Sequence, residues 1–149
     1  MSIQFLDLRI SEARNNSSGT SPVPTTPTLF GDIGLQTAAV VGTANQNNVR
    51  VALWGTVGIS AASAGLITIT VERNSGDTPG SGSLIYTLTT GLAAREFITF
   101  HAGDFPPTAE VTNQIRYTMF LSSSVAGMNL DGPISFGGIA AAGTTDGSP

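Results

Sequence analysis

A chain of 149 residues, 40% apolar and only 11% charged, is long enough to bury one core without disulfide or metal staples. Its net charge is −4, and all six basic residues are arginines scattered along it (Arg9, Arg14, Arg50, Arg73, Arg95, Arg116), which excludes an electrostatic footprint for nucleic acid. There is no cysteine for a disulfide or thiolate metal site, and no stretch approaches the ~20 apolar residues a membrane-inserted helix needs. With so little charge, the polar surface must come from Thr, Ser, Asn, Gln and Gly. These suit a pleated sheet and its turns and disfavour helix. A thinly charged surface also repels copies of itself only weakly.

The chain opens on Met1-Ser-Ile-Gln-Phe-Leu-Asp-Leu-Arg-Ile10, where Asp7 and Arg9 interrupt the apolar run that a signal peptide requires. Strand alternation places Leu6, Leu8 and Ile10 on one face and Phe5, Asp7 and Arg9 on the other. From Ser11 to Thr28 the composition turns polar, with Pro22, Pro24 and Pro27, and reads as an extended linker. Residues 1–28 are therefore expected to be an arm and linker, 29–142 a β-sandwich domain, and 143–149 a frayed tail.

Gln36–Val41 reads as a weak first strand. Val49–Ser60 turns Val49, Val51, Leu53, Val57 and Ile59 to one face. Leu66–Arg73 places Ile67, Ile69 and Val71 inward and Thr68, Thr70 and Glu72 outward. Residues 74–82 read as a flexible loop whose Gly80-Ser-Gly82 precedes a strand, not the helix that phosphate binding needs. Strands follow at Ser83–Thr90, Glu96–His101, Ile115–Ser122 and Pro133–Ala140. Turn signals at this spacing predict an all-β, two-sheet antiparallel sandwich, jelly-roll type in preference to immunoglobulin-like.

Residues able to carry chemistry are few. His101, in His101-Ala-Gly-Asp104, reads as an exposed strand-end histidine beside a turn aspartate, without the nucleophile of a triad. Glu96, Asp104 and Glu110 lie in adjacent segments but flank turns, with no deep cleft for paired-acid hydrolysis. Asp77, Asp104, Asn129 and Asp131 offer loop oxygens of the kind calcium takes, but in no calcium-loop series. No catalytic residue, metal site or cofactor is expected. Alternation instead turns Trp54 outward with Arg50, and Phe120 outward beside Arg116 and Thr118. Outward aromatics next to arginine on a low-charge surface point to an interface.

Strands such as Val49-Arg-Val-Ala-Leu-Trp54 and Leu66-Ile-Thr-Ile-Thr-Val71, with Phe97-Ile-Thr-Phe-His-Ala-Gly-Asp104, resemble tumour-necrosis-factor-like jelly rolls over roughly residues 35–140. In particular the chain looks like the Gly/Thr-rich jelly rolls of bacterial spore surfaces, in the exosporium and endospore appendages. That resemblance implies a non-enzymatic, extracellular or surface subunit whose partner is itself. The expected assembly is a filament or lattice in which Phe5, Leu6, Leu8 and Ile10 insert as a donor strand into a neighbour, the alternative being that the arm folds back on its own sheet as a first strand. A carbohydrate-binding module stacking sugars on Trp54, and a viral capsid or decoration jelly roll, are the alternatives.

Overall fold

The computed structural model describes residues 3–14 and 21–143. Its strands are β1 (Gln4–Arg14), β2 (Ser21–Pro22), β3 (Thr28–Gln36), β4 (Val49–Ala61), β5 (Gly65–Arg73), β6 (Ser83–Leu92), β7 (Glu96–Asp104), β8 (Gln114–Ser123) and β9 (Met128–Ala142). One sheet runs β1-β9-β4-β7, with β2 also pairing β9, and the other runs β3-β8-β5-β6. Every pairing is antiparallel. The eight long strands cross repeatedly between the two sheets, which is a jelly roll. Among the described residues no helix is long and apolar enough to cross a membrane.

The core lies between the sheets and is filled by alternate side chains. Val49, Val51, Leu53, Val57 and Ile59 of β4 are buried against Ile67, Ile69 and Val71 of β5, as their spacing predicts. Phe100 stacks on Tyr86 at 5.1 Å and approaches Phe136 at 6.5 Å, joining the two sheets beneath β6 and β7.

Two expectations about the chain before β4 are corrected. The strand lies at Thr28–Gln36, while Ala38–Val40, inside the expected strand Gln36–Val41, forms a short 3-10 turn. Gly31 and Gly34 masked the strand, since neither offers an apolar side chain to the alternation. The expected linker is also partly tied down. Val23 is buried, its amide donates to the Met128 carbonyl at 2.8 Å, and the Ser123 amide donates to the Pro24 carbonyl at 2.8 Å. Residues 15–20 of that linker and the tail beyond Gly143 lie outside the described residues.

The arm forms β1, which pairs with β9 of its own chain from Gln4↔Ala142 to Arg14↔Ile134. A bulge between Phe5 and Asp7 resets its faces. The expected stripe of Leu6, Leu8 and Ile10 is therefore broken. Leu6 packs against the core, whereas Leu8 and Ile10 turn outward with Phe5. Asp7 turns to the adjoining sheet, where the Gln36 amide donates to its carboxylate at 2.9 Å. Burial works to raise the Asp7 pKa, but the Arg9 hydrogen bond and two backbone amides outweigh it and hold the group lowered.

Candidate interaction surface

The residues that looked most like chemistry are used to join the sheets. Asp104, at the end of β7, accepts from Arg73 Nη1 at 2.7 and 2.8 Å and from the Tyr117 hydroxyl at 2.7 Å. Arg73 Nε donates to Glu110 at 2.6 Å, and Asn74 Nδ2 donates to the same oxygen at 3.2 Å. Arg73, Asp104 and Tyr117 are buried, so β5, β8 and β7 are tied together by a charged, fully bonded cluster. Burial opposes the charge on Arg73, yet its bonds to Glu110 and Asp104 hold its pKa raised. The Arg73 hydrogen bond holds Glu110 below the ordinary carboxylate range, and burial pushes the Tyr117 phenol up.

This arrangement separates the residues that sequence spacing had grouped. Asp104 points into the sandwich, while His101 is exposed on the opposite face of β7 and pairs with Trp54 across the sheet. Glu110 joins Asp104 at the Arg73 cluster, whereas Glu96 sits at the other end of β7. Asp77 bonds Arg116 and Asp131 bonds Arg95, so the loop carboxylates are dispersed onto separate arginines. Among the described residues no group of three His, Asp or Glu is placed to hold a metal ion.

The loop over residues 74–82 is bound, not free. The Glu72 carboxylate accepts from the Gly80 amide at 2.6 Å and the Gly82 amide at 3.3 Å. The amides that resembled part of a phosphate loop thus hold a carboxylate of the same chain. Glu72, expected outward, is buried for this reason. Arg116 donates to Asp32 at 2.7 Å, to Asp77 at 2.6 Å and to the Ser75 carbonyl at 3.1 Å, pinning the loop to the sheet. Arg116 is therefore already committed within the chain. Phe120, expected as an exposed interface aromatic, is only 1% exposed, and Thr118 beside it is sealed too. Both faces of β8 are covered, so Phe120 presents nothing to a partner.

The other outward residues come together. Register across β1, β9, β4 and β7 aligns three rows on the outer face of their sheet. They are Phe5–Ala141–Arg50, then Leu8–Ile139–Ala52–Gly103, then Ile10–Gly137–Trp54–His101. Phe5, Leu8 and Ile10 are 60%, 46% and 59% exposed, and Trp54 and Ile139 are half-buried. Five of the residues expected at an interface (Phe5, Leu8, Ile10, Arg50 and Trp54) share this one face. Leu6, Arg116 and Phe120 do not reach it. Ile139, Ala141 and Ala52 belong to the face and were missed. Their signal was the run Gly137-Gly138-Ile139-Ala140-Ala141, which offers no polar residue to either side of β9. The opposite sheet differs: Thr68, Thr70, Thr87 and Thr89 are set side by side on its outer face, with the Thr68 and Thr89 hydroxyls bonded at 3.1 Å.

No protein-family model matches the chain, and the comparison with curated proteins finds no match. Among solved structures, latent PorU from Porphyromonas gingivalis aligns with a TM-score of 0.54 at 11% identity, over 93% of this chain and 13% of that one. A chain of infectious bursal disease virus, Gt strain, aligns with a TM-score of 0.50 at 13% identity, over 92% of this chain and 33% of that one. Eiger TNF from S. frugiperda aligns with a TM-score of 0.43 at 13% identity, over 99% of this chain and 96% of that one. The chain thus spans a small part of the first two proteins. At 11% and 13% identity the likeness to the first two is one of fold alone.

Proposed function

We propose that this chain is a non-enzymatic structural subunit that assembles with copies of itself through the outer face of the β1-β9-β4-β7 sheet. One observation carries the reading: Phe5, Leu8, Ile10, Ile139 and Trp54 form a contiguous apolar face in the single chain. Contiguous apolar patches beyond a few hundred Å² are uncommon on monomers and mark interaction sites. Among the described residues Arg50 is the one arginine at this face and has no ion-pair partner, which leaves its guanidinium for a neighbour.

Sedimentation velocity tests the proposal. The wild-type chain is expected as an oligomer, and Leu8→Asp or Ile139→Asp as folded, smaller species that no longer associate through this face. A wild-type chain that stays monomeric up to near-millimolar concentration would refute it.

Exchange of β1 between copies is the finer form of this reading, and it extends naturally to a filament or lattice on an extracellular, cell or spore surface. It is supported by how little β1 buries on its own chain, since among its described apolar side chains Leu6 alone packs against the core. Leu8 and Ile139 are cross-strand partners, and the chain has no cysteine of its own. Oxidising the Leu8→Cys/Ile139→Cys double variant therefore distinguishes the two forms. A covalent ladder means that β1 is exchanged, and an intrachain bond with assembly intact means that it is not.

A further inference from the structure

We propose that the free edge of β6 is a second assembly surface, and that it pairs antiparallel with β6 of another copy. The inference rests on the reading of the chain as a self-assembling subunit and adds the direction in which the assembly grows.

Among the described residues the long strands at sheet edges are β1, β7, β3 and β6. An exposed edge offers a row of unpaired N–H and C=O groups, and natural sheets guard it with charge, proline, bulges or brevity. Three of the edges are guarded by charge. β1 carries Asp7 and Arg9, β7 carries Glu96, and β3 carries Asp32. β6 is Ser-Leu-Ile-Tyr-Thr-Leu-Thr-Thr-Gly-Leu, ten residues with neither a charge nor a proline. That is well beyond the usual strand length of roughly 5–6 residues.

The strand is also held ready to pair. Its register with β5 is continuous from Gly65↔Leu92 to Val71↔Tyr86, and breaks only at the far end beside Glu72. Tyr86 stacks on Phe100 and closes the gap beneath it. Among the described residues its only strand partner is β5. The occupant follows from charge. Copies of a chain of net charge −4 repel each other, and β6 is the edge where two of them meet without opposing like charges. A strand of alternating Thr and apolar residues is complementary to itself when reversed. Thr87 and Thr89 then face Thr or apolar partners on one side, and Tyr86 and Leu88 extend the core side.

Single-cysteine variants of the full chain at Leu84, Thr87, Thr89 and Gly91 test the pairing, since no native cysteine interferes. In a two-fold antiparallel pair, residues at the axis face their own copies ~5 Å apart. A position two residues away is separated from its copy by about 14 Å. A disulfide requires Cα atoms within ~7 Å. Cross-linking is expected to peak at one position and vanish two residues to either side. A flat profile would overturn the proposal. Thr87→Lys is expected to keep the fold by circular dichroism but to stop growth at the oligomer formed by the apolar face. Unchanged growth in that variant would equally overturn it. Leu8→Asp separates the two surfaces: it should leave dimers joined through β6 and the cysteine profile unaltered. If Leu8→Asp does not change assembly, the sheet-face reading fails while the profile still decides the fate of β6.

Discussion

The indole of Trp54 lies over Gly137, with three ring atoms 2.8–2.9 Å from the point a Cβ would occupy there. A side chain at residue 137 would have to push the ring off the sheet. Gly137→Ala is therefore expected to raise the indole from its seat, cost about 1–3 kcal/mol by overpacking, and weaken self-association. Trp54 is the only tryptophan, so its emission reports the site directly. A red shift with a lower association constant is the expected outcome, and an unchanged spectrum would mean that the backbone absorbs the methyl group.

Arg73 neutralises two carboxylates at once, and removing it leaves Asp104 buried without its counter-ion. Breaking a buried pair from one side costs about 3–5 kcal/mol. Arg73→Ala should fall in that range by urea unfolding, whereas Tyr117→Phe, which removes one hydrogen bond to Asp104, should cost only ~1–3 kcal/mol. Equal losses in the two variants would show that packing, not charge pairing, dominates the cluster.

The inward faces of β4 and β5 were legible because each alternates without interruption and meets a core on one side only. The Arg73 cluster was not, since its partners lie at residues 104, 110 and 117, and only the closure of the sandwich brings them to one point. The apolar face was half legible. Trp54 and Arg50 followed from alternation within β4, but the faces of β1 depend on a bulge set by its pairing with β9. Phe120 misled for a related reason: Tyr117-Thr-Met-Phe-Leu121 is apolar in both phases, and alternation cannot announce a strand covered on both sides.

Glu110 gives the cluster a pH dependence of definite sign. Its folded pKa lies below its ordinary value, chiefly through the Arg73 hydrogen bond. Its contribution is therefore complete above the unfolded carboxylate pKa of about 4.3 and is lost as pH falls through the folded value. Asp7 is shifted in the same direction. Denaturant midpoints should be level near neutrality and decline below about pH 4.3, and Glu110→Gln should flatten part of that decline. A Glu110→Gln profile parallel to wild type would separate Glu110 from the acid response.

The bulge in β1 assigns neighbouring leucines opposite tasks, so two substitutions of the same kind should fail in different ways. Leu6 packs against the core from the inner side of β1, and Leu8 stands outward beside Ile139. Placing a carboxylate at residue 6 forces a charge toward apolar surroundings, where it is costly without a partner. β1 is then expected to detach from β9, and limited proteolysis should cut the arm while the remaining sandwich resists. A carboxylate at residue 8 stays in water in the isolated chain, so β1 should remain protected. The charge matters only when a second copy covers the face, and there Leu8→Asp should abolish association through that face while stability changes by less than about 1 kcal/mol. Had alternation run unbroken from Leu6 to Ile10, the two variants would behave alike. Opposite outcomes in proteolysis and sedimentation would place the break in β1 between Phe5 and Asp7, where its register with β9 shifts.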